Sequence, residues 1–357
     1  QHTRQYSGAA GLNLYGQDLT LRVSYGLSDT QRTNADPVFG PTFASDGRTG
    51  SVNLRGEYRA IGGLTLAFGG EHQRSSYQTS FDSRESAAIT GGYLQAGWVL
   101  GGFAAHLGAR LDDHDRFGSA VSLGGDVSYG FGGGWRVKAS AGEGFKAPTL
   151  FQLFSDYGNT ALRPERASSF DLGVEHGRRG VGRHVAVTAF RRDSEDLIGF
   201  ASCFGVTSPL CAARPLGYYA NTGRARAQGI EIEGDVQLAE GLRIAGAYAL
   251  IDSKDRATGR DLARRPRQTA TLFTDYEAPF GVRLGADLRL LGPSFDDAAN
   301  SVRLDGYELL DLRAAVEMLD GIELFGRVEN VFDRAYQSAA GYASPGRGVF
   351  VGVRGRM

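Results

Sequence analysis

Four consecutive residues carry the densest set of ligand-type side chains in the chain: Asp112, Asp113, His114 and Asp115. Oxygen-rich clusters hold calcium, so Asp112, Asp113 and Asp115 are candidate carboxylate ligands for a structural ion. A histidine beside carboxylates also suits general acid–base work, and His114 with the aspartates could serve an enzyme site at an outer rim. The competing reading is a solvated strand end with surplus charge, and it is the stronger one. Alternate residues of a strand face opposite ways, so adjacent Asp112 and Asp113 converge only if the loop curls. Asp296-Asp297 is a weaker cluster of the same kind.

Arg264, Arg265 and Arg267 could attract an anionic ligand. Such residues more often bind the phosphates of lipopolysaccharide or pair with acidic neighbours. The two cysteines, Cys203 and Cys211, fall in one predicted loop. With close spacing and no third cysteine to compete, a loop disulfide in an oxidising compartment is favoured over two free thiols. Two cysteines without other ligands are too few for zinc. No nucleophile elbow and no phosphate-binding glycine loop occurs, so catalysis is not expected and no cofactor beyond the calcium is called for.

The elements that must position these residues read as strands. Between Leu19 and Ser28, Leu19, Leu21, Val23, Tyr25 and Leu27 fall on one face, with Thr20, Arg22, Ser24, Gly26 and Ser28 on the other. Val52, Leu54 and Tyr58 alternate with Asn53, Arg55, Glu57 and Arg59. In the last segment Val349, Val351, Val353 and Met357 oppose Arg354 and Arg356. A soluble sandwich also alternates, but its apolar faces are covered by a second sheet. A membrane barrel turns them to lipid and lines a wet lumen with the other face. Tyr218-Tyr219 and Tyr342 are assigned to an interfacial aromatic belt.

The connections decide between the two. Short ones at 16–18, 62–63, 101–102, 132–134, 178–182, 240–241, 279–281 and 320–321 are rich in glycine, which supplies the positive φ of tight hairpins. Long ones at 33–49, 79–88, 113–119, 150–166, 199–217, 252–265, 292–302 and 336–347 alternate with them. Short turns at one end and long loops at the other are the mark of an outer-membrane barrel. About 17 strands are expected by this count. Bacterial single-chain barrels close with an even number, so further strands are expected upstream.

Composition agrees. Of 357 residues, 52 are glycine, and Tyr (15) and Phe (20) far outnumber Trp (2). Lys+Arg is 39 against Asp+Glu 40, which gives nucleic acid no electrostatic handle. No run of 18 apolar residues occurs, so no helix is predicted to span a membrane. The mean hydropathy of -0.25 is compatible with a barrel, which shows lipid only every second residue. The chain begins at Gln1, without a start Met or signal peptide, and is read as a mature chain or an excerpt.

The stretch Gly142–Glu175 reads as strand, long polar loop and strand. Pro148 ends the first strand because it cannot donate to a ladder. Phe170, Leu172 and Val174 then alternate with Asp171, Gly173 and Glu175. This stretch resembles the mid-barrel signature of TonB-dependent outer-membrane receptors: Phe145-Lys146-Ala147-Pro148, followed by Asn159, Leu162, Pro164 and Glu165. Further boxes resemble the family in the same order. They are Gly108 to His114 with Phe117-Gly118, Tyr219-Ala220-Asn221-Thr222 through Gly229-Ile230-Glu231, and Leu262 with Arg265-Pro266-Arg267. Tyr307 to Leu312 comes next, then Asn330, Phe332, Asp333, Tyr336, Gly341, Tyr342, Pro345, Gly346 and Arg347. The pattern is most similar to cobalamin-type and related siderophore receptors. Met357 departs from it, since the family usually ends in an aromatic residue.

The resemblance implies an all-β fold, a transmembrane antiparallel β-barrel of 22 strands, with residues 1–357 as one domain forming its C-terminal part. About five strands and the N-terminal plug would lie outside this chain. It implies a multi-pass barrel in the bacterial outer membrane, active in importing a bulky scarce nutrient such as a corrinoid or ferric siderophore. The energy would come from a TonB–ExbB–ExbD complex acting through the plug. Outer-membrane lipid and lipopolysaccharide would surround a monomer. The motif residues are read as structural rather than ligand-binding. In haem receptors of the family a His lies between the two mid-barrel boxes; residues 149–157 contain none, which disfavours haem. The alternative to active import is a passive porin-like channel, the same barrel without a plug.

Overall fold

The computed structural model describes residues 2–203, 209–221 and 223–355. Gln1, Thr222, Arg356 and Met357 therefore lie outside the described residues, as do 204–208 within the predicted 199–217 loop. The strands in chain order are β1 (His2–Tyr15), β2 (Leu19–Asp36), β3 (Gly40–Arg59), β4 (Leu64–Thr79), β5 (Glu85–Leu100), β6 (Phe103–His114), β7 (Gly118–Gly132), β8 (Trp135–Lys146), β9 (Glu165–Arg178) and β10 (Val181–Glu195). Two short strands follow, β11 (Ile198–Ala201) and β12 (Tyr218–Asn221), then β13 (Arg224–Ala239), β14 (Leu242–Asp255), β15 (Gln268–Glu277) and β16 (Val282–Leu291). The chain ends with β17 (Ser294–Phe295), β18 (Arg303–Leu304), β19 (Tyr307–Leu319), β20 (Ile322–Glu329) and β21 (Gly348–Gly355). Two helices of five residues, α1 (Leu150–Phe154) and α2 (Pro209–Ala213), sit in connections, and no helix among the described residues is long and apolar enough to cross a membrane.

Seventeen strands form one sheet, while β11–β12 and β17–β18 are separate two-stranded ribbons. Every short turn predicted from glycine joins two sheet strands, as at Gly101-Gly102 between β5 and β6. The first three long connections are different. The span 33–49 is mostly strand, with Asp36 paired to Gly40 across three turn residues. Likewise only residues 80–84 and 115–117 separate the strands on either side.

The chain divides into two compact units: residues 1–128, 140–169 and 194–224 form one, and 129–139, 170–193 and 225–357 the other. The divisions fall inside strands β7, β8, β9, β10 and β13, so they mark no linker.

In the first unit the register of β2, β3, β4 and β5 puts Tyr25, Val52, His72 and Thr90 in one row. The same face carries Val23 and Leu54 below that row, and the continuing strands carry Leu94 and Leu107. These apolar side chains are open, Leu94 at 59% and Leu107 at 71%. The opposite face is polar: Arg110 lies 3.7 Å from Glu71, and His106 Nδ1 is 2.9 Å from Asp126. In the second unit Val349, Val351 and Val353 are similarly open, while Arg354 and Arg283 of the other face both bind Glu323. Arg313 there pairs with Asp275 and Asp287. No large side chain among the described residues is fully buried. A sandwich would bury its apolar faces against a second sheet. These strands leave them open, as a lipid-facing wall does.

Candidate functional site

The best-packed part of the first unit is the connection between β8 and β9. Pro148 ends β8, and Thr149 starts α1 with a capping box: its side chain accepts from Gln152 N at 3.2 Å while Gln152 Oε1 accepts from Thr149 N at 2.9 Å. Leu150 and Leu153 of the helix and Leu162 after it are buried. Gly158 lies so close to the last turn that a Cβ would meet the Leu153 carbonyl at 2.6 Å. Only glycine fits there.

The mid-barrel boxes then fold onto a segment some sixty residues further on. Asn221 Oδ1 accepts from Arg163 N at 2.9 Å, and its Nδ2 donates to Arg163 O at 2.9 Å and Asp196 O at 2.6 Å. Asn159 Nδ2 donates to Tyr219 O at 3.0 Å, and Tyr219 N to Tyr157 O at 2.9 Å. Glu165 Oε1 accepts from Ile198 N at 2.9 Å and its Oε2 from Lys146 Nζ at 3.2 Å. Arg163 reaches Asp196 at 2.5 Å and, through that hydrogen bond, holds its carboxyl below the usual carboxylate range. Three chain segments are thus tied by backbone-directed side chains.

Above this knot lies a run of rings that sequence reasoning missed. Phe151 of α1 packs edge-on against Tyr77 (5.8 Å between centroids) and Tyr219 (6.0 Å). Phe200 in turn meets Tyr219 and Tyr157, each at 5.7 Å. Arg116 stacks over Phe154 at 4.6 Å and bonds Glu85 at 3.0 Å. Tyr219 therefore belongs to this cluster. Cys203 and Cys211 are joined by a disulfide in the same loop system, their Cα atoms 5.2 Å apart. Rings held edge to face offer flat, polarisable surfaces to a bulky ligand. The arrangement is suited to binding.

The carboxylates of the 112–115 run are not brought together. Asp112 shares the polar face with Arg110, which donates to it from Nε at 2.8 Å. Asp113 points to the other face and accepts from Ser119 at 2.8 Å, and Asp115 caps Ala88 N at 2.8 Å. The strand alternation sets these carboxylates apart: each has its own donor, and no group of three metal-type ligands occurs among the described residues. His114 Nδ1 accepts from Arg116 N at 3.1 Å, so the histidine orders the turn.

The second unit holds the C-terminal box. Asn330, at φ 49°, accepts from Arg334 N at 2.8 Å and donates to Arg334 O at 3.0 Å, while its own N donates to Asp311 at 2.8 Å. Asp333 accepts from Arg347 N at 2.8 Å, and a Cβ on Gly346 would meet that carboxylate at 2.7 Å. Tyr336 lies against Tyr307 at 4.4 Å, while Phe332 and Tyr342 are exposed. Arg264 pairs with Asp296 at 2.7 Å and Arg267 with Asp261 at 3.1 Å, so these cations are already matched. The Arg264 hydrogen bond and the Ala340 N–H hold the Asp296 carboxyl low.

The family model described as TonB dependent receptor-like, beta-barrel, matches residues 1–331. The chain belongs to that family. A curated relative, the vitamin B12 transporter BtuB of Photobacterium profundum, is 30% identical over 304 residues, which is 82% of this chain and 47% of the relative. Among solved structures, the ferric enterobactin receptor PfeA of Pseudomonas aeruginosa superposes with a TM-score of 0.81 at 20% identity, over 99% of this chain and 62% of PfeA. The FrpB iron transporter of Neisseria meningitidis gives 0.79 at 15% identity, over 98% and 62%. This TonB-dependent receptor chain thus spans about half the length of the curated relative and under two thirds of the solved receptors. Membership makes it a bacterial outer-membrane β-barrel chain, and its exposed apolar strand face is the lipid-facing one.

Proposed function

We propose that this receptor actively imports a bulky, scarce nutrient across the outer membrane, with a cobalamin-like corrinoid as the first candidate and a ferric siderophore as the second. The observation that carries the reading is the 30% identity to a vitamin B12 transporter over four fifths of the chain. The ring cluster of Phe151, Tyr219 and Phe200 supports it, since such surfaces suit a large planar ligand. Energy is supplied by TonB with ExbB and ExbD through the plug. The barrel itself does no chemistry, and lipopolysaccharide surrounds its outer-leaflet end. Uptake of radiolabelled cobalamin by cells expressing the full-length protein tests this. Accumulation should require TonB and be outcompeted by unlabelled corrinoid. Accumulation that persists without TonB would instead mark a passive channel, and ferric-siderophore uptake alone would move the substrate to the second candidate.

A further inference from the structure

Within the first unit, residues 149–162 form a body of their own. Leu153 N donates to Thr149 O at 3.0 Å, Ser155 N to Phe151 O at 3.1 Å, Asn159 N to Gln152 O at 2.9 Å and Leu162 N to Asn159 O at 3.3 Å. With the Thr149–Gln152 capping box, these bonds close the segment on itself. Its contacts with its two neighbours differ in kind. Toward the β11–β12 ribbon it is hydrogen-bonded: Asn159 Nδ2 donates to Tyr219 O and accepts nothing in return, while Tyr219 N donates to Tyr157 O. Phe151 and Tyr157 add ring contacts to Tyr219 and Phe200 respectively. Toward the upper ends of β4 and β5 it has rings only. Phe151 meets Tyr77 edge-on at 5.8 Å, and Phe154 packs on Arg116, which also bonds Glu85 at 3.0 Å and Ser86 O at 3.1 Å. Among the described residues, no hydrogen bond joins 149–162 to β4, β5, β6 or the turns between them.

Two buried hydroxyls of this region lack partners, one on the segment and one on the wall it faces. Ser155, at the end of α1, is 5% exposed, and its Oγ has no hydrogen-bond partner among the described residues. Tyr77 Oη is likewise buried and unpartnered. Thr79, two residues along the same strand, has no capacity to spare: its Oγ1 donates to Asp82 Oδ2 at 2.6 Å and accepts from Phe81 N and Asp82 N at 3.1 and 2.9 Å. A buried hydroxyl without a partner carries its full desolvation cost, which is removed once water can reach it. At the base of the segment and ribbon lies the knot of Arg163, Asp196 and Asn221. The chain turns sharply on either side of it, with Asp196 at φ 54° and Gly223 at φ 91°. A few such element-terminal residues are enough to act as hinges.

We propose that residues 149–162 and the β11–β12 ribbon move together as one strap, which pivots at the knot and parts from the wall of β4 and β5 along the contact of Tyr77 with Phe151. The edge-on rings and the Arg116–Phe154 stack hold the strap shut. The two hydroxyls, unpaired when it is shut and hydrated when it is open, work against them, so both positions are populated. Open, the seam presents two aromatic faces and two O–H donors, a crevice for the edge of a flat ligand that carries carbonyl or amide oxygens. That use rests on the import reading; the movement itself does not, and a measurement without ligand tests it alone.

Pulsed electron paramagnetic resonance on the full-length receptor in nanodiscs provides the test. Spin labels go on cysteines introduced at exposed positions, as Ser83→Cys on the wall, Thr160→Cys on the strap and Leu216→Cys in the loop of the ribbon. The 83–160 pair should give two distances and the 160–216 pair one. Tyr77→Phe and Ser155→Ala, which delete the unpaired hydroxyls and keep the packing, should each lower the open-to-closed ratio about tenfold. Arg116→Gln, which removes the stack on Phe154, should raise it about threefold. A single 83–160 distance in both wild type and Arg116→Gln overturns the proposal. So does an unchanged or raised ratio in both hydroxyl variants, which would mark hydroxyls already satisfied in the shut position. A second 160–216 distance also overturns it, because the segment would then be tearing from the ribbon rather than moving with it. If the variants fail to fold, the two label pairs in the otherwise wild-type chain still decide.

Discussion

Asn221→Ala should loosen the outer loops of the first unit while leaving the sheet intact. The side chain makes three hydrogen bonds, to Arg163 N and O and to Asp196 O, and so joins the β8–β9 connection to the segment following β10. Each such bond contributes about 0.5–1.5 kcal/mol net. Asn221 is only half-buried, so water partly replaces the lost partners, and the sum is set at about 2–3 kcal/mol of local stability. At 1.4 kcal/mol per factor of ten, this corresponds to roughly 30- to 150-fold faster amide exchange in the loop. Hydrogen-exchange mass spectrometry on the folded receptor should show the acceleration in peptides covering 157–163 and 196–201. Peptides from β2 to β5 should not change. Asn221→Asp is the sharper control: it keeps the acceptor for Arg163 N but turns a second oxygen toward two carbonyls, so it should be no better than alanine. Unchanged exchange at 157–163 in the alanine variant would refute the knot as the element that orders these loops.

Other consequences are as direct. Phe151→Ala removes two edge-to-face contacts, worth about 1 kcal/mol each, and should weaken binding of the transported ligand by up to about thirtyfold in calorimetry without changing expression or heat-modifiable migration. The Arg163–Asp196 pair predicts a pH response: because the Asp196 carboxyl is depressed, the stabilisation is fully present above its unfolded value of about 3.9 and fades only as pH falls through the lower folded value. Exchange in 196–201 should therefore be protected equally from pH 7 to about 4.5 once corrected for intrinsic rate, and Asp196→Asn should remove the further loss in acid. Reducing Cys203–Cys211, which closes a separation of 8 residues, should cost about 2.5 kcal/mol on the chain-entropy estimate and speed exchange in β11 and β12, with the β13–β16 peptides unaffected.

The strands were legible because lipid on one side imposes a period of two, as at Leu19 to Leu27. That signal ends where the bilayer ends. Above Asp29 the β2–β3 ribbon has polar residues on both faces, so no alternation of apolar type marks it, and 33–49 reads as loop although its backbone stays paired up to Asp36 and Gly40. Helix α1 could have been found: Thr149-x-x-Gln152 is a capping box, and Leu150, Leu153 and Phe154 follow helical spacing. The polar expectation for the whole connection hid it. The contact of Asn221 with Arg163 has no local signature, since a side chain bonding a backbone 58 residues away is fixed by the fold around it.

The motif residues of the two units do the same work by the same means. Asn221 and Asn330 both direct a short amide side chain onto backbone groups of chain segments that have left the sheet. Asn330 does so from φ 49°, a region where asparagine is tolerated better than most side chains. Long connections outside a membrane carry many backbone donors and acceptors and little apolar surface to bury, so an ordered loop needs polar groups that act at several backbone sites at once. A hydrogen-bonded knot beside the ring cluster holds Phe151, Tyr219 and Phe200 in place, so the entropy cost of ordering these rings is met on folding.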